Sequence, residues 1–511
     1  MRLPFPTRIS VQKTFVFAAL VFIAQIIQHT DPIFAALFFA YIMLSVITFN
    51  IAGGLARASG GYVFWFALLT CIVGGLWKIV LNEPGDSNLV SPNVTLSIYV
   101  VSMMTILAAL QISRKFTRNT RGLSVVMHAD RLNLGHAALG CFVANQLVVW
   151  ANEYLPHGNG SFVNILNQEN VFLTVCILLG TIHSIRSSGG RRSLSILTFV
   201  ASGLMFFFGG LVNYSKQAMF TPIVCWGIAA ASQRYRLRGW QIVLLAAFAW
   251  YSVEYLAPLS QVGRALIPAS ASATDRTMLS VDLLSHPKRL RADYLESMGV
   301  SDESSHVTGY AAGYFDTPQG LLDRMNIIRS DDRLVTYTLQ GHTVGKMRVL
   351  SYFINWIPHF ILPNKEALMA IGANNTGNYY AHEVGGLLSP DDYTTGISFS
   401  PSAEAFHMDE FEGIVIVGGF VWTLLFIVVD FICGDVRNSP IGLLALVAFA
   451  HVAPESLIGN LVYFIFFNDL GIVIAIVFCA YFAPIIGQLF SGPQDRLVAR
   501  LESLPMSAAE A

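Results

Sequence analysis

The stretch SFSPSAEAFHMDEFEG, residues 398–413, holds four carboxylates, Glu404, Asp409, Glu410 and Glu412, and one histidine, His407. It runs without a linker into the apolar sequence IVIVGGFVWTLLFIVVD. Acids at such an entrance are either a solvated collar or part of a site. Several other ionisable groups fall near ends of apolar runs: Lys78, Lys216, Glu254 and Glu455, with His451 and Asp469 deeper. An ionisable group inside a span is costly and is by default a functional candidate, whereas one at a helix end can snorkel to water. Lys216, in the short NYSKQAMF turn, could hold an anionic head group or a pyrophosphate as a point charge. Between residues 258 and 412 lie further cations: Arg264, Arg276, Lys288, Arg289, Arg291, Arg324, Arg329, Arg333, Lys346, Arg348 and Lys365. Arg324, Arg329 and Arg333 recur at five and four residues, which on one helix is roughly one broad face.

Other chemistries find little footing. Asp331-Asp332 and Asp391-Asp392 are adjacent pairs, and i, i+1 side chains do not converge on a helix. There is no HExxH, DxD, Walker A or GxSxG pattern, so no metal, ATP drive or serine nucleophile is expected, and no cofactor is required. All six cysteines sit in apolar runs and none forms a CxxC pair, so neither a disulfide framework nor a zinc site is expected.

The elements that must position these residues are membrane spans. Only 12% of the 511 residues are charged, against about 25% in soluble proteins. The formal net charge of −1 argues against a nucleic-acid partner. The basic start MRLPFPTRISVQK leads into an apolar run with no small-residue cleavage site, so a retained first helix is expected rather than a signal peptide. A span needs about 20 apolar residues. Twelve stretches qualify: near 12–28, 32–51, 62–81, 93–112, 133–150, 170–186, 193–212, 217–232, 239–257, 413–433, 440–457 and 461–486. Asn468 and Asp469 interrupt the last, leaving open a start at Leu470 with 458–469 re-entrant. Arginine and lysine crowd alternate connections, around Arg57, Arg114–Arg131, Arg186–Arg192, Arg234–Arg238 and Arg437, and both termini. By the positive-inside rule both termini are cytoplasmic and the long segment is external.

The expectation is an all-α polytopic membrane protein of about twelve transmembrane helices with one large external loop subdomain. It divides as a nine-helix region 1–257, the loop 258–412, three helices in 413–490 and a cytoplasmic tail 491–511. HPKRLRADYLESM and PQGLLDRMNIIRSDDRLV look like short amphipathic helices, and SYFINWIPHFILP is too short to span and suits the interface. A loop this long is usually functional or a folded subdomain.

NWIPHFILPNKEAL (355–368) followed by TTGISFSPSAEAFHMDEFEGIVIVGG (394–419) resembles the O-antigen or oligosaccharide repeat-unit polymerases. Pro358, Pro363 and Lys365 fit the family's first element. Thr395, Ser398, Pro401, Glu404, Phe406, Phe411, Gly413, Gly418 and Gly419 fit the second loosely. His359 and Lys216 stand where arginine is usual, and Glu410 and Glu412 where asparagine and glycine are common. The resemblance implies transfer of a growing glycan from one polyprenyl-pyrophosphate carrier onto a lipid-linked repeat unit outside the inner membrane, with membrane lipid and a chain-length regulator protein as partners. A sugar pyrophosphate brings its own leaving group. The enzyme must then juxtapose two chains, stabilise developing negative charge and deprotonate or orient a hydroxyl. On this reading Lys216, Lys365, Arg264, Arg324 and Arg329 are the candidate cations. Glu404 is the candidate base, and His407, one turn on along the same face if the region is helical, is its alternate. Two other functions stay open: an O-antigen ligase or other lipid-linked-sugar glycosyltransferase, and a transporter or flippase. The second is disfavoured because no inverted repeat or matched pair of broken helices is visible.

Overall fold

The computed structural model describes residues 2–117, 123, 133–155, 170–268, 271–297, 313–317, 319, 321–324, 326–355, 362, 376–385, 387, 397–437 and 439–490. Among these the chain is helical, with no strand beyond one bridge between Arg2 and Arg236.

The apolar stretches form α1 (Val11–Ile27), α2 (Pro32–Ala52), α3 (Ala58–Leu81), α4 (Pro92–Thr117), α5 (Leu134–Tyr154), α6 (Phe172–Ser187), α7 (Ile196–Val212), α8 (Lys216–Ser232) and α9 (Gly239–Leu266). The long segment holds α10 (Ala273–Ser285), α11 (Pro287–Ser297), α12 (Ile328–Leu339), α13 (Arg348–Asn355) and α14 (Thr376–Val384). Last come α15 (Pro401–Cys433), α16 (Pro440–Glu455) and α17 (Ile458–Phe490). Seven of these, α2, α3, α4, α5, α9, α15 and α17, are long and apolar enough to cross a membrane. Local sequence sets the boundaries. Ser10 caps α1, Asp31 with Pro32 starts α2, and Ser400 with Pro401 starts α15.

Two boundaries differ from expectation. α17 runs unbroken through Asn468 and Asp469, because the apolar contacts of Leu461, Ile465 and Ile472 continue on both sides of them. No re-entrant break occurs there. α9 continues to Leu266, nine residues beyond the expected end at 257, with Arg264 in its last turn.

The bundle has two chemically distinct ends, and α3 shows which is which. At its start Asp430 accepts from the Ser59 amide (3.0 Å) and hydroxyl (2.7 Å), with Arg57 3.7 Å away. The N-terminal segment is fastened at the same end, where Asn50 and Ile9 exchange hydrogen bonds of 2.7 and 2.8 Å. At the other end of α3, the turn into α4 receives the long segment. The Tyr314 hydroxyl donates to the Gly85 carbonyl at 2.5 Å, and Asn88 donates to Asp316 at 2.8 Å. Lys78 does not snorkel here. Its ammonium is fully buried, donates to the Ser87 carbonyl at 3.0 Å, lies 3.7 Å from Glu83 and sits over the Tyr314 ring.

The adjacent aspartates of α12 fasten the same end. Asp332 accepts from the Val90 amide (2.6 Å), the Ser91 amide (2.9 Å) and the Thr95 hydroxyl (2.9 Å), and so caps α4. Asp331 accepts from the Tyr99 hydroxyl (2.7 Å) and the Ser400 amide (2.8 Å), joining α4 to the start of α15. The pair diverges, as adjacent helical side chains must.

Candidate active site

Glu404 is fully buried in the first turn of α15. Burying a carboxylate without partners is costly, and three donors compensate. The Tyr352 hydroxyl of α13 (2.5 Å) and the Tyr380 hydroxyl of α14 (3.1 Å) meet Oε1, and the Ile458 amide at the start of α17 meets Oε2 at 2.5 Å. Glycine at 459 makes this approach possible, since a Cβ there would come within 2.9 Å of the Tyr352 ring. Burial first, and then the Glu404 charge, push the Tyr352 phenol up, so it stays protonated and donates.

Arg348 stands one helical turn before Tyr352. Its Nε donates to the Tyr352 hydroxyl at 3.4 Å and its guanidinium lies over that ring, 5.6 Å from the centroid. Its Nη1 is buried with no hydrogen-bond partner among the described residues. His407 lies one turn along from Glu404 and is also buried. Its Nδ1 shares a hydrogen bond with Thr338 of α12 at 2.9 Å, while Nε2 has no described partner. The Tyr380 ring stands edge-on to the imidazole at 5.2 Å. A carboxylate, a guanidinium, an imidazole and two phenols thus meet where α12, α13, α14, α15 and α17 converge. Two of their N–H or N positions remain open, and such orphans mark a ligand-binding place or a strained one.

The other acids behave differently. Lys346 pairs with Asp409 and with Glu412, the latter at 2.6 Å, both at the surface. α15 breaks between Asp409 (φ −169°, ψ 55°) and Glu410 (φ 48°, ψ −139°), with Glu410 exposed. The helix resumes after Glu410, and at Gly413 a Cβ would lie 2.0 Å from the Ala405 carbonyl oxygen.

Among the described residues, the candidate cations fall at more than one place. Arg264 donates to the Ser260 carbonyl at 3.0 Å and hydroxyl at 3.2 Å, and that hydroxyl donates to the Tyr214 carbonyl at 2.6 Å. Arg264 and Lys216, two residues after Tyr214, therefore flank one corner, where α8 and α9 meet α10 and α11 around Leu256, Leu259 and Leu283. Arg329 is on α12 beside Arg333, and burial first, then Arg333, push it down to about 10. Arg324 is in a separate turn, Leu321–Arg324, so the single face drawn through Arg324, Arg329 and Arg333 is broken: Asn326 and Ile327 interrupt the helix. Lys365, with Pro358, His359, Pro363 and Thr395, lies outside the described residues.

Tyr352 and Tyr380 are the site residues that sequence reasoning missed, and Arg348 stood only among the cations of the long segment, with no role of its own. The RVLSY spacing places Arg348 and Tyr352 on one helical face and could have paired them. Nothing local marks Tyr380. The chain matches no protein-family model, no curated protein and no solved structure.

Proposed function

We propose that the protein is a membrane-embedded glycan polymerase that joins polyprenyl-pyrophosphate-linked repeat units at the outer face of an inner membrane. On this reading the twelve helices α1–α9 and α15–α17 cross, both termini are cytoplasmic and the long segment is external. The buried meeting of Glu404 with Arg348, Tyr352, Tyr380 and His407 carries the reading, because it puts a possible proton acceptor and a cation at the end of the bundle where the long segment docks.

In the reaction an acceptor sugar hydroxyl attacks the anomeric carbon of the donor glycan. The anomeric C–O bond to pyrophosphate breaks, the polyprenyl pyrophosphate leaves with the bonding pair, and the hydroxyl proton passes to a base. Glu404 takes that proton, with Tyr352 and Tyr380 orienting its carboxylate. Cations stabilise the leaving pyrophosphate. Arg348 brings to the cluster an N–H with no partner among the described residues, and Arg329, Lys216, Arg264, Arg324 and Lys365 are the further candidates along the lipid carrier's path.

The test is Glu404→Gln, scored by polysaccharide banding at matched membrane abundance. Loss of a positioned acid–base group costs about a hundredfold or more in rate. Elongation should vanish in Glu404→Gln and persist in Glu412→Gln, whose carboxylate is a surface partner of Lys346. Equal ladders from the two variants would remove Glu404 from catalysis.

A further inference from the structure

A set of partly exposed side chains beside the buried cluster is left unused by that scheme. Tyr337 and His342 stack with centroids 4.3 Å and planes 11° apart, and His342 is exposed. The Tyr337 ring lies 6.0 Å from that of His407. Tyr379 is exposed, donates its hydroxyl to Glu383 at 2.6 Å, and has its ring 5.9 Å from that of Tyr380. Glu383 acts on both phenols. Its hydrogen bond is the first cause that raises Tyr379, and its charge adds to burial in raising Tyr337. Tyr337, His342, Tyr379 and Glu383 therefore share one patch at the surface. Tyr380 and His407 form its buried edge, and the open Nε2 of His407 and Nη1 of Arg348 belong to the same neighbourhood.

The chemistry of this patch is selective. Aromatic faces give flat apolar contact, which suits the C–H face of a pyranose. Glu383 has no ion pair among the described residues, so its carboxylate can accept a pair of sugar hydroxyls. Arg348 and His407 are buried behind these rings and bound the patch on its inner side. An acyl chain would leave the Glu383 carboxylate unmet, and a phosphate would be repelled by it. A few fixed polar groups among aromatic walls are also the usual composition of a small-ligand site.

We propose that Tyr337, His342, Tyr379 and Glu383 form a carbohydrate subsite that seats the acceptor sugar beside Glu404. Both the acceptor role and the choice of sugar rest on the glycan-transfer reading, whereas the position of the subsite rests on the ring and carboxylate geometry.

The probe is the host cell's own repeat-unit oligosaccharide, released from its lipid by mild acid and titrated onto the full chain in lipid nanodiscs by saturation-transfer NMR. The unaltered chain should bind it. Tyr379→Ala and Glu383→Gln should each weaken binding by about tenfold. Tyr379→Phe, which keeps the ring, should stay closer to the unaltered chain than Tyr379→Ala does. Met278→Ala, at an exposed position on α10, which packs in the separate cluster around Leu256, Leu259 and Leu283, should change nothing. No binding by the unaltered chain, or binding by Tyr379→Ala and Glu383→Gln as tight as that of the unaltered chain, overturns the subsite. The readings separate because binding is measured without turnover. Binding that depends on Tyr379 and Glu383, with normal ladders from Glu404→Gln, keeps the subsite and removes the catalytic assignment. Binding independent of Tyr379 and Glu383, with ladders lost in Glu404→Gln, does the reverse.

Discussion

At the scale of single residues, the acids that enter the membrane together have separated into different roles. Glu404 is buried under three donors, Asp409 and Glu412 share Lys346, and Glu410 makes a turn. With φ 48° and ψ −139°, Glu410 sits close to backbone space that glycine favours, and such strain costs about 1–3 kcal/mol. Glu410→Gly should raise the thermal midpoint of the detergent-solubilised protein and leave polymer ladders intact. Glu410→Ala, which keeps a Cβ, should not raise it, and a higher midpoint in both would show that charge rather than backbone strain is at issue. Asp331 makes a second residue-scale prediction. Burial raises it from an ordinary 3.8 to about 7, against hydrogen bonds from Ser400 and Tyr99 and with Asp332 alongside adding to the rise. A carboxyl whose folded pKa lies above its unfolded one costs no stability below about 4. Its penalty grows as pH rises and is complete above about 7. Asp331→Asn removes that proton equilibrium, so the fall in thermal midpoint between pH 4 and 7 should be shallower than in the unaltered chain. An unchanged slope would assign the dependence to other groups.

At the scale of elements, α12 is the bracket of the site. One flank holds α4 through Asp332 and Asp331, and its last turn reaches His407 through Thr338. Asp332→Ala strips partners from two amides and a hydroxyl in a half-buried place. Losing such a cap and leaving buried donors unmet costs about 1–3 kcal/mol. The variant should lower the thermal midpoint and also weaken elongation, because α12 would no longer fix Thr338 against His407. Asp332→Asn, which still accepts at one oxygen, should fall between the two. A stable Asp332→Ala protein that has lost elongation would instead place Asp332 in the chemistry.

At the scale of the whole molecule, the separation of the two ends of α3 is the feature that matters. Arg57, Asp430 and the N-terminal segment share one end, and the turn at Gly85, the 313–317 segment and the Glu404 cluster share the other. A labelling experiment tests which end faces outward. All six native cysteines are buried, so single exposed cysteines can be introduced with little background. A membrane-impermeant maleimide on intact cells should label Ser285→Cys on α10 and should miss Ser187→Cys at the end of α6, both of which are exposed positions. The reverse pattern would invert the orientation and remove the external active site with it.

The sequence by itself determined what depends on local or additive properties. Hydropathy marked the seven helices that, among the described residues, are long and apolar enough to cross a membrane, since a helix in lipid satisfies its own backbone and need only be apolar. The caps Ser10, Asp31 and Ser400, seen in the structure, are likewise local, because capping involves residues three or so apart. The face shared by Glu404 and His407 followed from helical spacing once Pro401 began a helix. Tertiary structure alone decided the rest. Nothing near Glu404 in sequence announces Tyr352, Tyr380 or the Ile458 amide, which lie 52, 24 and 54 residues away. Lys78 read as a snorkelling lysine because its buried partners Ser87 and Tyr314 arrive with a turn and a distant segment. Asp331 and Asp332 read as unrelated neighbours because their partners come from α4 and α15. A charge in a low-dielectric interior is stable only beside its partners, and those partners are brought together by helix packing, which composition and spacing do not encode.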